Sequence, residues 1–345
     1  MHLFHNDYNE MCHPEVLKWI QQKASQPMDG YGEDAFCRSA ADKIKKACED
    51  DRVAVHFLVG GTQTNLTVIA ASLRPHQAVI GAESAHVNVH ETGAIEATGH
   101  KVMALPSADG KITAQQIQTA VKQHWEDSTH EHIAQPKLVY ISHPTELGTT
   151  YTKKELEAIS ATCKENGLLL FVDGARLGYA LTADGNDVSL ADLTRLTDVF
   201  YIGGTKVGAM FGEAVVISNP MIQEDFRYIM KQRGGMLAKG WLLGMQFDAL
   251  FQDDLYFRIS RHANQQADKL RAALKQAGYK LMVESTTNQV FAILPDAVLN
   301  RIGQKFSYAY WQRMDADHSA VRFCTSWGTV PEKLDALCEC IICGE

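Results

Sequence analysis

"DVFYIGGTKVGAMFGEAVVISN" occupies residues 198–219 and determines much of what can be predicted of the fold. Two short apolar runs, 198–204 and 213–219, are separated only by a glycine-rich turn, so we expect them to pair as antiparallel strands. The turn carries Lys206 among small and apolar residues. A strongly hydrated ammonium group is an unusual choice there, so the position of Lys206 needs a chemical explanation.

Five further apolar runs precede this pair, at residues 53–59, 78–83, 101–106, 137–142 and 168–173. Most of them are separated by segments long enough for a crossover helix, an arrangement typical of a mainly parallel sheet with helices on both faces. The sequence therefore predicts a large α/β domain whose seven-stranded sheet has six parallel strands and one reversed strand.

The pattern changes after about residue 220. Segments with helical periodicity continue to residue 274, and runs that alternate as half-exposed strands do follow at 280–285, 288–294, 306–312 and 320–326. We predict a large domain at 14–245, a small C-terminal α+β domain at 246–345, and an N-terminal arm at 1–13 near the active site. No Pro/Gly/Ser-rich linker separates the two domains, so we expect them to share an interface closely.

Composition limits the class of protein. Of the 345 residues, 46% are hydrophobic and 21% charged, as in ordinary globular proteins, and the formal net charge of -8 argues against nucleic acid or an anionic membrane as a partner. No apolar run is long enough to span a bilayer, and the N-terminus lacks the pattern of a secretory signal. The eight cysteines are scattered, so we expect reduced thiols in a cytoplasmic protein.

The C-terminal "LCECIICGE" has a C-x-C-x-x-C spacing that raises the question of a metal site. A docked helix is the alternative, because apolar residues recur at helical spacing: Leu334, Leu337, Cys338, Ile341 and Ile342. No other cluster of histidines or cysteines offers further ligands, so we favour the helix and predict no metal.

In an open α/β sheet, ligands bind beyond the carboxyl ends of the strands. "GGTQTN" (60–65) follows the first strand and opens a helix, whose backbone N–H groups, with Thr62, Thr64 or Asn65, would form a phosphate site. Plain helix capping is the alternative. The segment matches neither the dinucleotide-binding nor the P-loop pattern.

Other chemically competent residues follow the remaining strands. They are His86 and His90 after the second, His143, Thr145 and Glu146 after the fourth, Asp173 and Arg176 after the fifth, and Lys206 after the sixth. Each has a structural alternative: a core histidine, an Asp173–Arg176 ion pair, or a lysine that extends to solvent.

Together these groups match the requirements of one cofactor, pyridoxal 5'-phosphate. Its phosphate suits a helix N-terminus, its ring nitrogen needs an aspartate such as Asp173, and its aldehyde needs a lysine for a Schiff base. An apolar turn lowers the pKa of a lysine by desolvation, which favours the neutral, nucleophilic amine at Lys206.

The motifs carrying these residues resemble, in order and over essentially the whole chain, those of the threonine aldolase / β-eliminating lyase family. This family belongs to the aspartate-aminotransferase-like class of fold-type I pyridoxal-phosphate enzymes. The motifs are "FHNDYNEMCHPEVL", "GYGED", "GGTQTN", "SAHVNVHETGA", "PTELGTTY", "VDGARLGYA", "GGTKVGAMFGEAVV", "KQRGGMLAKGW" and "VRFCTSWGT".

The resemblance implies a role for each matching residue. Lys206 would be the Schiff-base lysine, Asp173 the partner of the pyridine nitrogen, and His86 the residue stacked on the ring. Gly61 and Thr62 would lie in the phosphate site, to which Thr205 would add a hydroxyl. These side chains, with Arg176 beside them, make up the predicted cofactor site.

The resemblance also implies a substrate site. Arg176 and Arg322 would hold the substrate carboxylate, with Asn6 nearby, and Tyr31 would lie close to the site, reaching in from a neighbouring subunit. The chain departs from the family pattern at Glu146, where some members have a histidine that contacts the substrate hydroxyl, and at His90, where an aromatic residue is common. Both departures bear on the preference between threonine and allo-threonine.

The implied reaction is retro-aldol cleavage of L-threonine, L-allo-threonine or a related β-hydroxy amino acid to glycine and an aldehyde. His86, Glu146 or a water held by them would take the hydroxyl proton. Alternatives are another pyridoxal-phosphate β-eliminating lyase, a racemase, an aminotransferase, or a non-catalytic protein that retains the fold. The family also implies a homotetramer, a dimer of dimers with active sites at the dimer interface.

Overall fold

The computed structural model describes residues 1–23 and 25–343. The strands, in chain order, are β1 (His2–Leu3), β2 (Ala54–Leu58), β3 (Gln77–Ala82), β4 (Lys101–Leu105), β5 (Gln135–Ser142), β6 (Leu169–Asp173), β7 (Val199–Gly203), β8 (Glu213–Ile217), β9 (Lys280–Leu281), β10 (Gln289–Pro295), β11 (Phe306–Ser307), β12 (Ala309–Arg313) and β13 (His318–Cys324).

The helices are α1 (Pro14–Lys23), α2 (Ala35–Cys48), α3 (Gly61–Ser72), α4 (His86–Val89), α5 (Ala114–Glu126), α6 (Lys153–Glu165), α7 (Leu177–Leu181), α8 (Leu190–Leu196), α9 (Pro220–Gln223), α10 (Phe226–Gln232), α11 (Trp241–Leu250), α12 (Leu255–Gln276), α13 (Asp296–Ile302) and α14 (Pro331–Cys343). Single 3₁₀ turns occur at Glu96–Thr98 and His130–His132.

A seven-stranded sheet in the order β2-β8-β7-β6-β5-β3-β4 forms the centre of the molecule. Strand β8 runs antiparallel to both of its neighbours, β2 and β7, and the other pairings are parallel. The predicted topology of six parallel strands and one reversed strand is therefore confirmed. The short turn at 204–212 permits only an antiparallel return, which is the reason for the reversal.

Burial explains why these segments form strands. Every residue of β3, β6, β7 and β8 is buried, as expected for a sheet covered by helices on both faces. Polar side chains fix where several covering helices begin, because Thr113, Thr152 and Ser189 each complete a capping box at the start of α5, α6 and α8.

A second, antiparallel sheet in the order β12-β13-β10-β9 packs with α12 and α14, which matches the predicted α+β character of the C-terminal part. The predicted domain boundary after residue 245 falls within α11. The larger hydrophobic cluster includes Ala263 of α12, and the smaller one includes Ala267 of the same helix, so α12 contributes to both clusters. Of the predicted small domain, residues 344 and 345 lie outside the described residues.

The N-terminal arm connects both parts of the molecule. Strand β1 pairs in parallel with β11, and Phe4 is buried in the smaller hydrophobic cluster. Farther along the arm, the backbone N–H of His13 donates to the carbonyl of Gly208, in the turn that carries Lys206. The arm therefore supports the lysine turn from outside the sheet.

The C-terminal segment forms the predicted helix, α14. Its buried positions are Leu334, Leu337, Cys340 and Ile341, whereas Cys338 is only partly buried and Ile342 is exposed. Cys338 still packs against the hydrophobic cluster, so the predicted apolar stripe was wrong only at Ile342, and Cys340, which was not predicted, is buried in the core as well. Among the described helices none is long and apolar enough to cross a membrane.

Two glycines let β6 and β7 approach each other closely just beyond Asp173. The N–H of Gly203 donates to the carbonyl of Gly174. A Cβ atom on Gly174 would lie 1.8 Å from the carbonyl oxygen of Tyr201, and one on Gly203 would lie 2.2 Å from that of Ala175. Any larger residue here would push the two strand ends apart.

We therefore expect Gly174→Ala to lower the free energy of unfolding by about 3 kcal/mol or more, since a backbone atom cannot move aside as a side chain can. Gly81→Ala is the matched control. It also lies in a buried part of the sheet, but its added Cβ would make ordinary contact at 3.5 Å, so we expect a change within about 1 kcal/mol. Equilibrium unfolding in urea compares the two, and equal stability would contradict the close-approach argument.

Candidate active site

The carboxyl ends of the parallel strands bring six of the predicted site residues into one pocket. Its walls are Gly61, His86, Ser142, Pro144, Glu146, Asp173, Ala175, Arg176, Tyr201 and Lys206. The six predicted members come from five strand ends, since Asp173 and Arg176 both lie at the end of β6, and the sheet thus brings together residues from distant parts of the chain. The prediction that these groups meet at one edge is confirmed.

Lys206 is held rigidly by its own turn. Its backbone carbonyl accepts a hydrogen bond from the Tyr179 hydroxyl, and the N–H groups of Val207 and Ala209 both donate to Gly204. The side chain is half-buried, and desolvation, with the positive charge of Arg176, holds the pKa of its amine below the ordinary value. Lys206 is therefore not a lysine that extends freely to solvent, and its lowered pKa makes the neutral, nucleophilic amine easier to form.

Asp173 is a buried carboxylate at the last position of β6. Burial would raise its pKa, but hydrogen bonds from the Tyr140 hydroxyl and the N–H of Ala175 more than offset this, and the pKa lies below its ordinary value. The side chain of Asn65 donates a further hydrogen bond at 3.1 Å. Asp173 is thus ionised and can pair with a protonated ring nitrogen.

Arg176 does not pair with Asp173. Its Nε and Nη2 donate to the two carboxylate oxygens of Asp7 at 2.7 and 2.9 Å, so the alternative of an Asp173–Arg176 ion pair was wrong. Asn288 donates to the same carboxylate at 2.8 Å. Burial would raise the pKa of Asp7, but the charge of Arg176 holds it below its usual value. The N-terminal arm thus supplies a fixed counter-ion that sequence reasoning missed.

The loop before α3 offers a site for an anion. The cap residue of this twelve-residue helix is Gly60, so no side chain caps the N–H groups at the helix N-terminus. The Tyr201 hydroxyl lies close by, since a Cβ on Gly61 would approach it to 3.3 Å, and within the described chain this buried hydroxyl makes no hydrogen bond of ordinary geometry, although Asp173 lies near it. Asn65 is turned away, toward Glu91 and Asp173, so its predicted alternative role as a phosphate donor was wrong.

His86 and Glu146 lie side by side. Glu146 Oε1 accepts from the backbone N–H of His86 at 3.0 Å and from the Ser142 hydroxyl at 2.6 Å. Burial, with the charge of Asp173, raises the pKa of Glu146 above its ordinary value. The ring of His86 contacts a residue that was not predicted, since its Nδ1 lies 2.8 Å from Oε1 of Glu91, whose side chain is fully buried.

A second unpredicted carboxyl, that of Glu213, lies beneath the lysine turn. It accepts hydrogen bonds from the N–H of Gly204 and from the Thr205 hydroxyl, both at 2.9 Å, and burial raises its pKa to about 7. The single proton of the Thr205 hydroxyl is thus directed to Glu213, and Thr205 itself accepts from the N–H of Gly212. The role of Thr205 at a phosphate remains a prediction, and in this structure its proton is already used.

The other predicted substrate residues do not line the pocket. The amide oxygen of Asn6 accepts from the N–H of Tyr8, and Arg322 donates to Gln289 and to the carbonyl of His5. Tyr31, with a left-handed φ of 60°, is exposed beneath the ammonium group of Lys231. Their roles toward a substrate remain predictions.

Two of the histidines considered from the sequence, His143 and His90, differ in how far they are exposed to solvent. His143 is fully buried, its Nδ1 accepts from the N–H of Tyr151, and burial lowers its pKa to about 4, so it is a core histidine. His90 is exposed next to His86, with 5.7 Å between the ring centres. Only His90 is close enough to the pocket to influence what approaches it.

A wider cleft of about 870 Å³ lies on the other side of the sheet, at the amino end of β7 and the carboxyl end of the reversed β8. Its wall includes Arg52, Arg195, Asp198 and Asn219. We place the active site in the narrower pocket, because the carboxyl ends of the parallel strands, the buried Asp173 and the desolvated Lys206 all meet there.

We expect Glu213 to make stability depend on pH. The folded protein keeps its proton up to about pH 7, whereas an ordinary glutamic acid loses it at about pH 4.5, so folding becomes less favourable as the pH rises through this window. Since one pKa unit corresponds to about 1.4 kcal/mol, the loss across this window is at most about 4 kcal/mol.

The variant Glu213→Gln removes this titration. We expect its thermal unfolding midpoint, relative to that of the unmodified protein, to rise steadily between about pH 4.5 and about pH 7. Glu284→Gln, at an exposed glutamate, is the control and should show a constant difference. A constant difference for Glu213→Gln as well would show that the buried carboxyl does not titrate in this range.

Comparisons with known proteins agree with this arrangement. The model of the Beta-eliminating lyase family matches residues 14–297. A low specificity L-threonine aldolase from Pseudomonas sp. (strain NCIMB 10558) is 33% identical over 330 residues, which are 94% of this chain and 92% of that protein. The structure of the Leishmania major threonine aldolase superimposes with a TM-score of 0.96 at 44% identity and covers 99% of this chain and 98% of its own.

A more distant structure shows the wider fold. A Thermus thermophilus aspartate aminotransferase double mutant superimposes with a TM-score of 0.71 at 15% identity, covering 98% of this chain and 90% of its own. At this identity the likeness concerns the fold alone. The predicted aspartate-aminotransferase-like fold class is confirmed.

Proposed function

The chain belongs to the Beta-eliminating lyase family, and on that premise we propose that it is a pyridoxal-phosphate-dependent L-threonine aldolase. It would cleave L-threonine, L-allo-threonine and related β-hydroxy amino acids to glycine and an aldehyde, as a carbon–carbon lyase. The observation that carries the proposal is the meeting of Lys206, Asp173 and His86 in one pocket beside an uncapped helix N-terminus.

The pocket fits the cofactor chemically. Asp173 is an ionised, buried carboxylate suited to a pyridinium nitrogen, and desolvation leaves Lys206 ready to bind an aldehyde covalently. The N–H groups that begin α3 at Gly61 and Thr62, with the nearby Tyr201 hydroxyl, suit a phosphate. When bound, pyridoxal phosphate supplies an electron sink for the electron pair released at the substrate Cα.

The substrate carboxylate would lie on Arg176. Asp7 engages Nε and Nη2 of this side chain, and no described group bonds to Nη1, which leaves one edge of the guanidinium for a second carboxylate. Asp7 thereby fixes the orientation of the Arg176 guanidinium group. Arg322 and Asn6 would join this carboxylate site, and holding the carboxylate there would fix how the substrate lies in the pocket.

A side chain of the pocket must accept the proton of the β-hydroxyl group as the Cα–Cβ bond breaks. His86 and Glu146 both line the pocket, and Ser142 and the main chain of His86 hold Glu146 in place. The raised pKa of Glu146 means that it binds a proton more readily than an exposed glutamate does. The exposed His90 beside them would shape the space for the substituent on Cβ.

Other reactions of the same cofactor are the second candidate: β-elimination, racemisation or transamination of a small amino acid. The pocket residues that hold the cofactor would be the same in each case, so product analysis decides between them. A non-catalytic protein is disfavoured, because the lysine, the aspartate and the arginine of the site are all in place.

We also propose that the chain forms a homotetramer, a dimer of dimers, in which Tyr31 of one subunit approaches the site of its neighbour. Tyr228, which lines a surface cleft together with Tyr31, is exposed in the single chain, and so are other large apolar side chains such as Met221. A cytoplasmic location accords with the eight cysteines, all of which are free thiols. Analytical ultracentrifugation tests the assembly.

We expect Lys206→Ala to abolish both turnover and the cofactor linkage that borohydride reduces, because it removes the only proposed covalent attachment point. Lys164→Ala, at an exposed lysine on α6, is the control and should keep both. Mass spectrometry of the reduced protein locates the adduct. A reducible adduct on another lysine, with normal activity in Lys206→Ala, would contradict the assignment.

We expect the unmodified protein, incubated with L-threonine, to release glycine and acetaldehyde in equal amounts, and to act on L-allo-threonine and phenylserine as well. The physical reason is that the site holds the amino-acid carboxylate firmly, whereas the exposed His90 leaves room near Cβ. Aldehyde and glycine are measured in parallel. Release of ammonia and an oxo acid without glycine would instead indicate β-elimination.

A further inference from the structure

We propose that Glu91 is a positioning residue. At the end of a hydrogen-bond chain that runs from Asp173 through Asn65, it holds His86 in the tautomer whose Nε2 accepts the proton of the β-hydroxyl group. The four residues Asp173, Asn65, Glu91 and His86 are called the Asp173–His86 chain below. The inference rests on the proposed function, because it assigns His86 its part in the cleavage.

The first link of the chain fixes the amide of Asn65. Asp173 is buried and ionised, so both of its carboxylate oxygens only accept hydrogen bonds. Its Oδ2 lies 3.1 Å from Nδ2 of Asn65. The amide must therefore present its NH₂ group, and not its oxygen, to this side of the pocket.

The second link fixes Glu91. The same Nδ2 of Asn65 lies 2.6 Å from Oε1 of Glu91, so the second amide proton is donated to that oxygen. The side chain of Glu91 is fully buried, which leaves it no water to exchange partners with. Oε1 of Glu91 is therefore an acceptor, and its orientation is determined from the Asp173 end of the chain.

The third link fixes the imidazole. Nδ1 of His86 lies 2.8 Å from the same Oε1, so Nδ1 carries the proton and donates it to Glu91. In the neutral ring Nε2 then carries the lone pair, and within the described chain no group bonds to it. With Glu91 as the acceptor of both bonds, the contacts assign the tautomer that carries its proton on Nδ1.

Two carboxylates thus contact different parts of His86. Glu146 holds its main chain through the backbone N–H, and Glu91 holds its ring through Nδ1. This division favours His86 over Glu146 as the proton acceptor. The β-hydroxyl proton moves to Nε2, the O–H electron pair becomes the second bond of the aldehyde carbonyl, and the Cα–Cβ pair remains on the glycine fragment.

The tautomer is measured by nitrogen NMR on the holoenzyme with ¹⁵N-labelled histidine rings, and the spectrum of His86→Phe identifies the His86 signals. We expect a protonated, pyrrole-type Nδ1 and an unprotonated, pyridine-type Nε2. The opposite tautomer, or a ring protonated at both nitrogens at neutral pH, would overturn the proposal. This readout needs no substrate, so it is independent of whether threonine is cleaved.

Variants of Glu91 test the consequence for turnover. We expect Glu91→Leu to lose the single tautomer and to lower kcat on the order of 10- to 100-fold with little change in KM. Glu91→Gln keeps an acceptor oxygen at the same place and should preserve the tautomer and more of the activity. Thr67→Val, at a buried and unpartnered hydroxyl on the same helix as Asn65, is the control and should change neither.

The outcomes distinguish failure of the positioning role of Glu91 from failure of the proposed aldolase function. Unchanged kcat in a folded Glu91→Leu, or loss of the tautomer in Glu91→Gln, would overturn the positioning role. If Glu91→Leu does not fold, the spectra of the unmodified protein and of Glu91→Gln still decide. If the tautomer is as expected but no β-hydroxy amino acid is cleaved, the proposed function fails and the tautomer assignment stands.

Discussion

The burial of the Asp173 carboxylate is the constraint on which the site depends. A charge at the end of a fully buried strand is costly unless hydrogen bonds satisfy it, and here Tyr140, Asn65 and the N–H of Ala175 do so. Tyr140 lies on β5, Asn65 on α3 and Ala175 in the loop after β6. The hydrogen bonds that stabilise the ionised Asp173 therefore require β5 and α3 to be packed against the end of β6.

A second constraint acts from the other end of the chain. The Asp7–Arg176 pair joins the N-terminal arm to the loop after β6, and the same arm supports the lysine turn through His13. Removing one partner of such a buried pair would leave an uncompensated charge, so the arm and the site are coupled energetically. The arm thus supports two segments that line the pocket, although it contributes no residue to the walls of the pocket.

Sequence reasoning identified the residues that follow the strands but not their partners. Lys206, Asp173 and His86 could be found because strand ends of a parallel sheet share one edge. The contacts of Arg176 with Asp7, and of Asn65 with Glu91, could not be found, since nothing in the spacing of residues so far apart shows which will meet. Glu213 was missed because its place in an apolar strand gives no sign of a polar contact.

The sequence by itself determined the succession of strands, the reversal at the 204–212 turn, the C-terminal helix and the set of groups available for chemistry. These depend on local periodicity and on the length of connections, which the chain carries along its own course. Only the tertiary structure decided which carboxylate binds which cation and which imidazole nitrogen of His86 contacts a carboxylate. Those choices depend on burial and on distances between remote segments, which exist only once the sheet has formed.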